Sequence, residues 1–161
     1  LLSLFGMAHA DWRFIPEISF QERPYQALSN RENVDTAIAL DRVTTDEASI
    51  GVLWGGAIPY FSGRRGVDFL GRCDRHIARL LPDLSGKAGW NGMISVPGHN
   101  KYDLNYSIAT LRPTYVQRFD WCSQDLAEWA KMNYVTVYHH GVRLNLLKDS
   151  GAVLWSRLNA P

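Results

Sequence analysis

One histidine, one lysine, one aspartate, two asparagines and two tyrosines fall within Pro97–Ser107, directly behind a Pro-Gly bend. Each such group buried without a partner costs a few kcal/mol, so a packed core has little use for them together. A solvated surface has little use for so much ring and imidazole area. The segment therefore reads as the wall of a polar pocket, with His99, Asn100, Lys101, Tyr102 and Asp103 as its candidate ligand-binding side chains. A well-ordered loop that satisfies its own backbone is the competing reading. A second group lies upstream. Asp68 stands inside the apolar run Val67–Leu70, where a carboxylate needs a cation such as Arg64, Arg72 or Lys101, or else a solvated cleft. Asp74 and His76 follow, and Asp74 also suits a helix N-cap. Arg64 sits in a Gly-Arg-Arg-Gly turn, either solvated or as an anion clamp. Trp54-Gly55-Gly56 closes another apolar run, and its glycines allow close approach of a ligand or simply a tight turn. Ring faces such as Trp54, Tyr60, Trp90 and Tyr102 can stack on a pyranose while Asn, Asp, Lys and His share its hydroxyls.

Other chemistries lack their residues. No C-x-x-C, H-E-x-x-H, G-x-S-x-G, Walker A or G-x-G-x-x-G pattern is present. Cys73 and Cys122 are expected to be free, buried thiols, although one bridge between them is open. The five histidines have no ligand spacing, and His139-His140 is expected as an exposed pair at a turn. No metal and no cofactor is expected. With 17 basic and 16 acidic residues in 161, the net charge of +1 argues against a nucleic-acid binder.

These residues need elements to position them. Asn30 is expected to cap a helix carrying Val34, Ala37 and Ile38 and ending near Val43–Thr45. Ile50–Trp54 reads as a strand buried on both faces, Ala57–Phe61 as a short helix, and Val67–Gly71 as a second strand. Asp74 caps a helix through Ile77 and Leu81. Residues 82–102 read as a long loop, of a kind that is commonly functional. Leu104, Ile108 and Leu111 follow at helical spacing until Pro113. Tyr115–Gln117 is a strand, Ser123 caps a further helix, and Tyr134–Tyr138 with Val142–Leu147 flank His-His-Gly as a hairpin. The tail near Val153–Trp155 packs back. Strands alternating with helices imply an α/β fold, a Rossmann-like, mostly parallel sheet flanked by helices with a C-terminal antiparallel hairpin. Residues 1–29 read as an apolar stub and irregular arm, and 30–161 as a single α/β domain. Leu1–Ala10 is apolar but shorter than the roughly twenty residues a spanning helix needs. It reads as the tail of a signal peptide, the last turns of a spanning helix, or a plain N-terminal helix. The first two place the domain outside the cytoplasm.

Three long motifs carry a resemblance: Gly51–Arg64 (GVLWGGAIPYFSGR), Val67–Ala78 (VDFLGRCDRHIA) and Pro97–Ile108 (PGHNKYDLNYSI). They resemble the C-terminal soluble region of bacterial multi-pass membrane glycosyltransferases of the dolichyl-phosphate-mannose or arabinosyl transferase type, the C-type membrane fold. The similarity runs from about Asn30 to Trp155. It implies a polyprenyl-phosphate sugar donor, with acidic catalytic residues in loops between N-terminal transmembrane helices. No catalytic residue of this chain is carried over. The chain would then be an extracytoplasmic domain, periplasmic or at the cell surface, that does not transfer sugar alone. Its expected partners are a glycan or lipid-linked sugar and the membrane, with no nucleic acid. Two other functions stay open. One is a secreted α/β enzyme with a His99/Asp103 acid-base pair. The other is an interaction module docking through Trp12, Phe14 and Phe20.

Overall fold

A computed structural model describes residues 14–23, 27–53, 56–84 and 99–158. The chain divides into two compact units, Leu1–Asn33 and Val34–Pro161. In the first, helix α1 (Phe14–Ile18) ends where the Ser19 hydroxyl donates to the Ile15 carbonyl at 2.8 Å. Helix α2 (Ala27–Val43) opens in that unit, and Asn30 lies inside it rather than at its cap. Trp12 lies outside the described residues, as do the apolar residues 1–10.

The second unit is built on a five-stranded sheet in the order β2-β1-β3-β5-β4. Its strands are β1 (Ser49–Val52), β2 (Arg65–Asp68), β3 (Tyr115–Val116), β4 (Tyr134–His139) and β5 (Val142–Leu147). Strands β2 and β3 both run parallel to β1, while β5 is antiparallel to β3 and to β4. The sheet is thus mixed rather than mostly parallel. The helices are α3 (Ala57–Ser62), α4 (Arg75–Ala78), a π-helix (Asn105–Thr110), α5 (Gln124–Asn133) and α6 (Trp155–Leu158). Two apolar clusters form on the sheet's two faces, following the period-2 alternation of strands. Ile50, Val52, Tyr115, Leu144 and Leu146 pack with Leu40 and Val43 of α2, Ile58 of α3 and Val153. Val116, Val67 and Leu147 pack with Phe69, Ile108 of the π-helix, and Leu126 and Ala130 of α5. Gly51 faces the second cluster. A β-carbon there would lie 2.5 Å from Phe69 Cζ and 2.9 Å from Pro113 Cγ, so a side chain has no room.

Several expected boundaries move for physical reasons. Strand β2 stops at Asp68 instead of Gly71, because the Asp68 carboxylate accepts backbone N–H groups of the turn that follows. Helix α4 is a single turn. The expected helix from Asp103 is a π-helix, closed by the Leu111 N–H donating to the Tyr106 carbonyl at 2.9 Å. His139 is buried rather than exposed, and its ring meets that of His140 edge-on at 4.3 Å. Both cysteines are free, but Cys73 is exposed and Cys122 half-buried.

Candidate functional site

Because β1, β2 and β3 are parallel, their carboxyl ends share one rim of the sheet, and in open α/β sheets ligands lie beyond that rim. Each loop leaving it is fixed by a side chain. At β1, the Leu53 N–H donates to Gln117 Oε1 at 3.1 Å, joining the exits of β1 and β3. At β2, Asp68 Oδ1 accepts the Leu70 N–H at 3.0 Å and Oδ2 accepts the Cys73 N–H at 2.9 Å. The turn this builds passes through Gly71 at φ 69°, where a β-carbon would sit 2.3 Å from Ile77 Cγ2. Asp74 then caps α4, its Oδ1 accepting from the His76 and Ile77 N–H groups at 2.8 and 3.0 Å. Asp103 does the same for the π-helix, with Oδ1 accepting the Tyr106 N–H at 2.9 Å.

The hydrophilic residues 99–103 form a clasp against residues 72–83. Arg72 Nη2 lies 3.0 Å from His99 Nε2. A guanidinium only donates, so that imidazole nitrogen is the acceptor. The Asn100 carbonyl accepts the Asp83 N–H at 2.6 Å. Lys101 Nζ donates to the Ala78 carbonyl at 2.9 Å, closing the end of α4. The Tyr102 hydroxyl donates to Asp83 Oδ2. Asp103 Oδ2 takes His76 Nε2 at 3.1 Å, and the His76 ring lies 4.2 Å from Tyr106. Asp103 therefore meets the imidazole of His76, and His99 meets Arg72. Four of these five polar side chains thus reach one other segment, and Asn100 reaches it through its backbone. Burial, followed by the hydrogen bond to Asp83 and its charge, pushes the Tyr102 phenol up to about 12.

The other side of this clasp opens on a cleft. Tyr102, Asp103, Leu104 and Asn105 form one wall, Trp121, Cys122, Ser123 and Leu126 the other, with Leu80 between them, around a volume of about 510 Å³. The Tyr102 and Trp121 rings stand 6.4 Å apart at 68°. Trp121 sits on the loop that leaves β3, held by the Arg118–Asp120 ion pair at 2.6 Å. Burial opposes ionisation of Asp120, yet the Arg118 hydrogen bond and charge outweigh it and keep the carboxyl below its usual range. Burial, then the Asp120 charge, pushes the Cys122 thiol to about 11, which makes it a poor nucleophile at neutral pH. A smaller cleft of about 200 Å³ runs along β2, lined by Asp68, Asp74 and Tyr106.

Of the residues expected at a ligand site, Tyr102 and Asp103 line the larger cleft, and Asp68 and Asp74 the smaller one. His76, His99, Asn100 and Lys101 belong to the clasp beside them. Arg64 is elsewhere. It lies at the amino end of β2, with its side chain 7% exposed, paired with Asp41 at 3.0 Å and Asp46 at 3.1 Å and donating to the Ser62 and Thr44 carbonyls. It ties α2 and α3 to the sheet. Trp54 lies outside the described residues, as does most of the loop 82–102. Sequence reasoning missed Trp121, and placed Asn105 in the pocket-wall segment without naming it as a ligand residue. Trp121 was findable, because it stands just before the Ser123 cap, on a loop that leaves a parallel strand at its carboxyl end.

A family model covers residues 17–156 of the chain, from α1 to α6. The chain belongs to the family described as domain of unknown function DUF8728. No curated protein and no solved structure matches the chain. The family span takes in both walls of the cleft and the whole clasp. Among the described residues, no helix is long and apolar enough to cross a membrane, and no three His, Cys, Asp or Glu side chains converge as metal ligands.

Proposed function

We propose that this DUF8728 chain is an extracytoplasmic domain of a membrane glycosyltransferase. In this reading it holds a glycan acceptor, or the sugar head group of a polyprenyl-phosphate donor, in the Tyr102–Trp121 cleft, and it does not transfer sugar alone. The observation that carries the reading is the cleft itself. Its volume of about 510 Å³ falls in the range of small-molecule sites. The rings of Tyr102 and Trp121 line it with Asn105 and with Asp103, whose carboxylate also holds the Tyr106 N–H and His76; aromatic faces stack on a pyranose, and Asn and Asp share its hydroxyls. The parallel half of the sheet supports reading this part of the fold as Rossmann-like. The order β2-β1-β3 reverses direction at β1, and the loop bearing Trp121 leaves the sheet beside that switch point. The likeness of Gly51–Arg64, Val67–Ala78 and Pro97–Ile108 to membrane glycosyltransferases agrees with it.

Calorimetric titration of the chain with mannose- and arabinose-containing oligosaccharides, and with a short-chain polyprenyl-phosphate sugar, tests the reading. Saturable heat with at least one of them is expected. Trp121→Ala should weaken that binding about tenfold, the order of one lost aromatic stack, without changing the circular dichroism. The absence of binding to every sugar, or binding indifferent to Trp121→Ala, overturns the proposal.

A further inference from the structure

Residues 72–84 are held down on one side by the clasp and turn their other side to solvent. Arg75 and Arg79 stand four apart, at the first residue of α4 and at its helical C-cap, which places both side chains on one face of that turn. Ile77, on the opposite face, is fully buried. Arg75 and Arg79 are exposed, and among the described residues neither guanidinium has a hydrogen-bond or ion-pair partner. The two carboxylates of the segment do not neutralise them by direct pairing. Asp74 caps α4 and faces the Tyr106 hydroxyl, and Asp83 accepts from Tyr102. Leu81 and Leu84 follow in the same segment, 91% and 74% exposed.

Guanidinium groups next to uncovered leucines match an anionic bilayer surface. Phosphates attract the cations, and the acyl boundary takes up the apolar side chains. A soluble acidic ligand would satisfy the arginines but leave both leucines wet. We infer that residues 72–84 dock this domain on an anionic lipid bilayer. The inference goes beyond the sugar-binding reading and does not need it. If both hold, Leu80, which lines the Trp121 cleft, puts the cleft at the lipid border where a lipid-linked sugar presents its head group.

Vesicle flotation of the full chain tests this. Vesicles of equal parts phosphatidylcholine and phosphatidylglycerol should carry the protein up, while phosphatidylcholine alone should carry far less. At about fivefold per basic residue near an anionic surface, Arg75→Ala/Arg79→Ala should weaken partitioning about 25-fold. Leu81→Ser/Leu84→Ser should weaken it about tenfold or more. All four positions are solvent-facing, and thermal melts of the variants check that the fold is kept. Binding that survives both double substitutions overturns the inference and moves any lipid contact to another part of the chain. Loss with the arginine pair but not the leucine pair overturns the apolar half of the inference, and leaves a contact with head-group charge alone. Retained sugar binding in variants that no longer float separates this result from the fate of the cleft.

Discussion

Asp68 shows how single carboxylates hold this rim together. Both of its oxygens accept backbone N–H groups, and the residue is 9% exposed. Asp68→Ala leaves the Leu70 and Cys73 N–H groups without acceptors, and charge-assisted bonds of this kind are worth about 1.5–3 kcal/mol each. A loss of about 3 kcal/mol is expected, read as a lower urea midpoint at unchanged slope. Tyr102 gives a spectroscopic handle at the same scale. Its phenol is raised to about 12 by burial and by Asp83, so Asp83→Asn should move its ultraviolet titration back toward the ordinary value near 10. The roles of Asp68 and Asp74 were half legible, since an aspartate after a strand or before an apolar helix face suggests a cap or a partnered charge. The roles of His99 and Lys101 were not. Their partners, Arg72 and the Ala78 carbonyl, lie more than twenty positions away in the chain, a separation no local pattern encodes.

At the scale of elements, the turn from β2 into α4 is the tightest joint. Gly71 combines φ 69° with an imaginary β-carbon 2.3 Å from Ile77 Cγ2. Ile77 is itself fully buried and has nowhere to move. Gly71→Ala should therefore cost about 3 kcal/mol, from the left-handed backbone and the overlap together, and thermal denaturation will show it. Asp74→Ala, by contrast, removes an N-cap and should cost about 1 kcal/mol. Element identity was partly visible in the sequence. Ser123 and its apolar partners specified α5, and His-His-Gly specified the hairpin turn, where His140 adopts φ 49° and Gly141 φ 80°. The π-helix was not visible. Leu104, Ile108 and Leu111 satisfy α-helical spacing equally well, so periodicity does not distinguish the wider turn.

For the whole molecule, pH acts through buried rings. Tyr102, Tyr115 and Tyr134 all have phenols raised by burial, while an unfolded tyrosine titrates near 10. Above pH 10 the unfolded chain therefore releases protons that the folded one keeps. Stability contributed by these rings is complete below that pH and is lost as it rises. At the other end, burial and then the charges of His140 and Arg42 hold the His139 imidazole below 6.5. That contribution is present above pH 6.5 and declines as the solution becomes more acidic. Urea midpoints measured from pH 5 to pH 11 should trace a plateau falling at both ends, with His139→Gln flattening the acidic side. The α/β class was legible because apolar runs alternate with amphipathic ones. The mixed pairing was not, because the strand that joins the parallel half to the hairpin is only Tyr115–Val116, too short to announce its neighbours.

That brevity affects how the protein is made. The central strand β3 emerges from the ribosome well before β5, which must cover its far edge through the Tyr115–Leu146 pairing. Until the hairpin is translated, the β3 edge and the apolar surface that Leu144, Leu146 and Leu147 complete stand open to any neighbouring nascent chain. Truncated products ending before Tyr134 should accordingly be retained by chaperones or lost to inclusion bodies, whereas chains extending through Leu147 should be released folded.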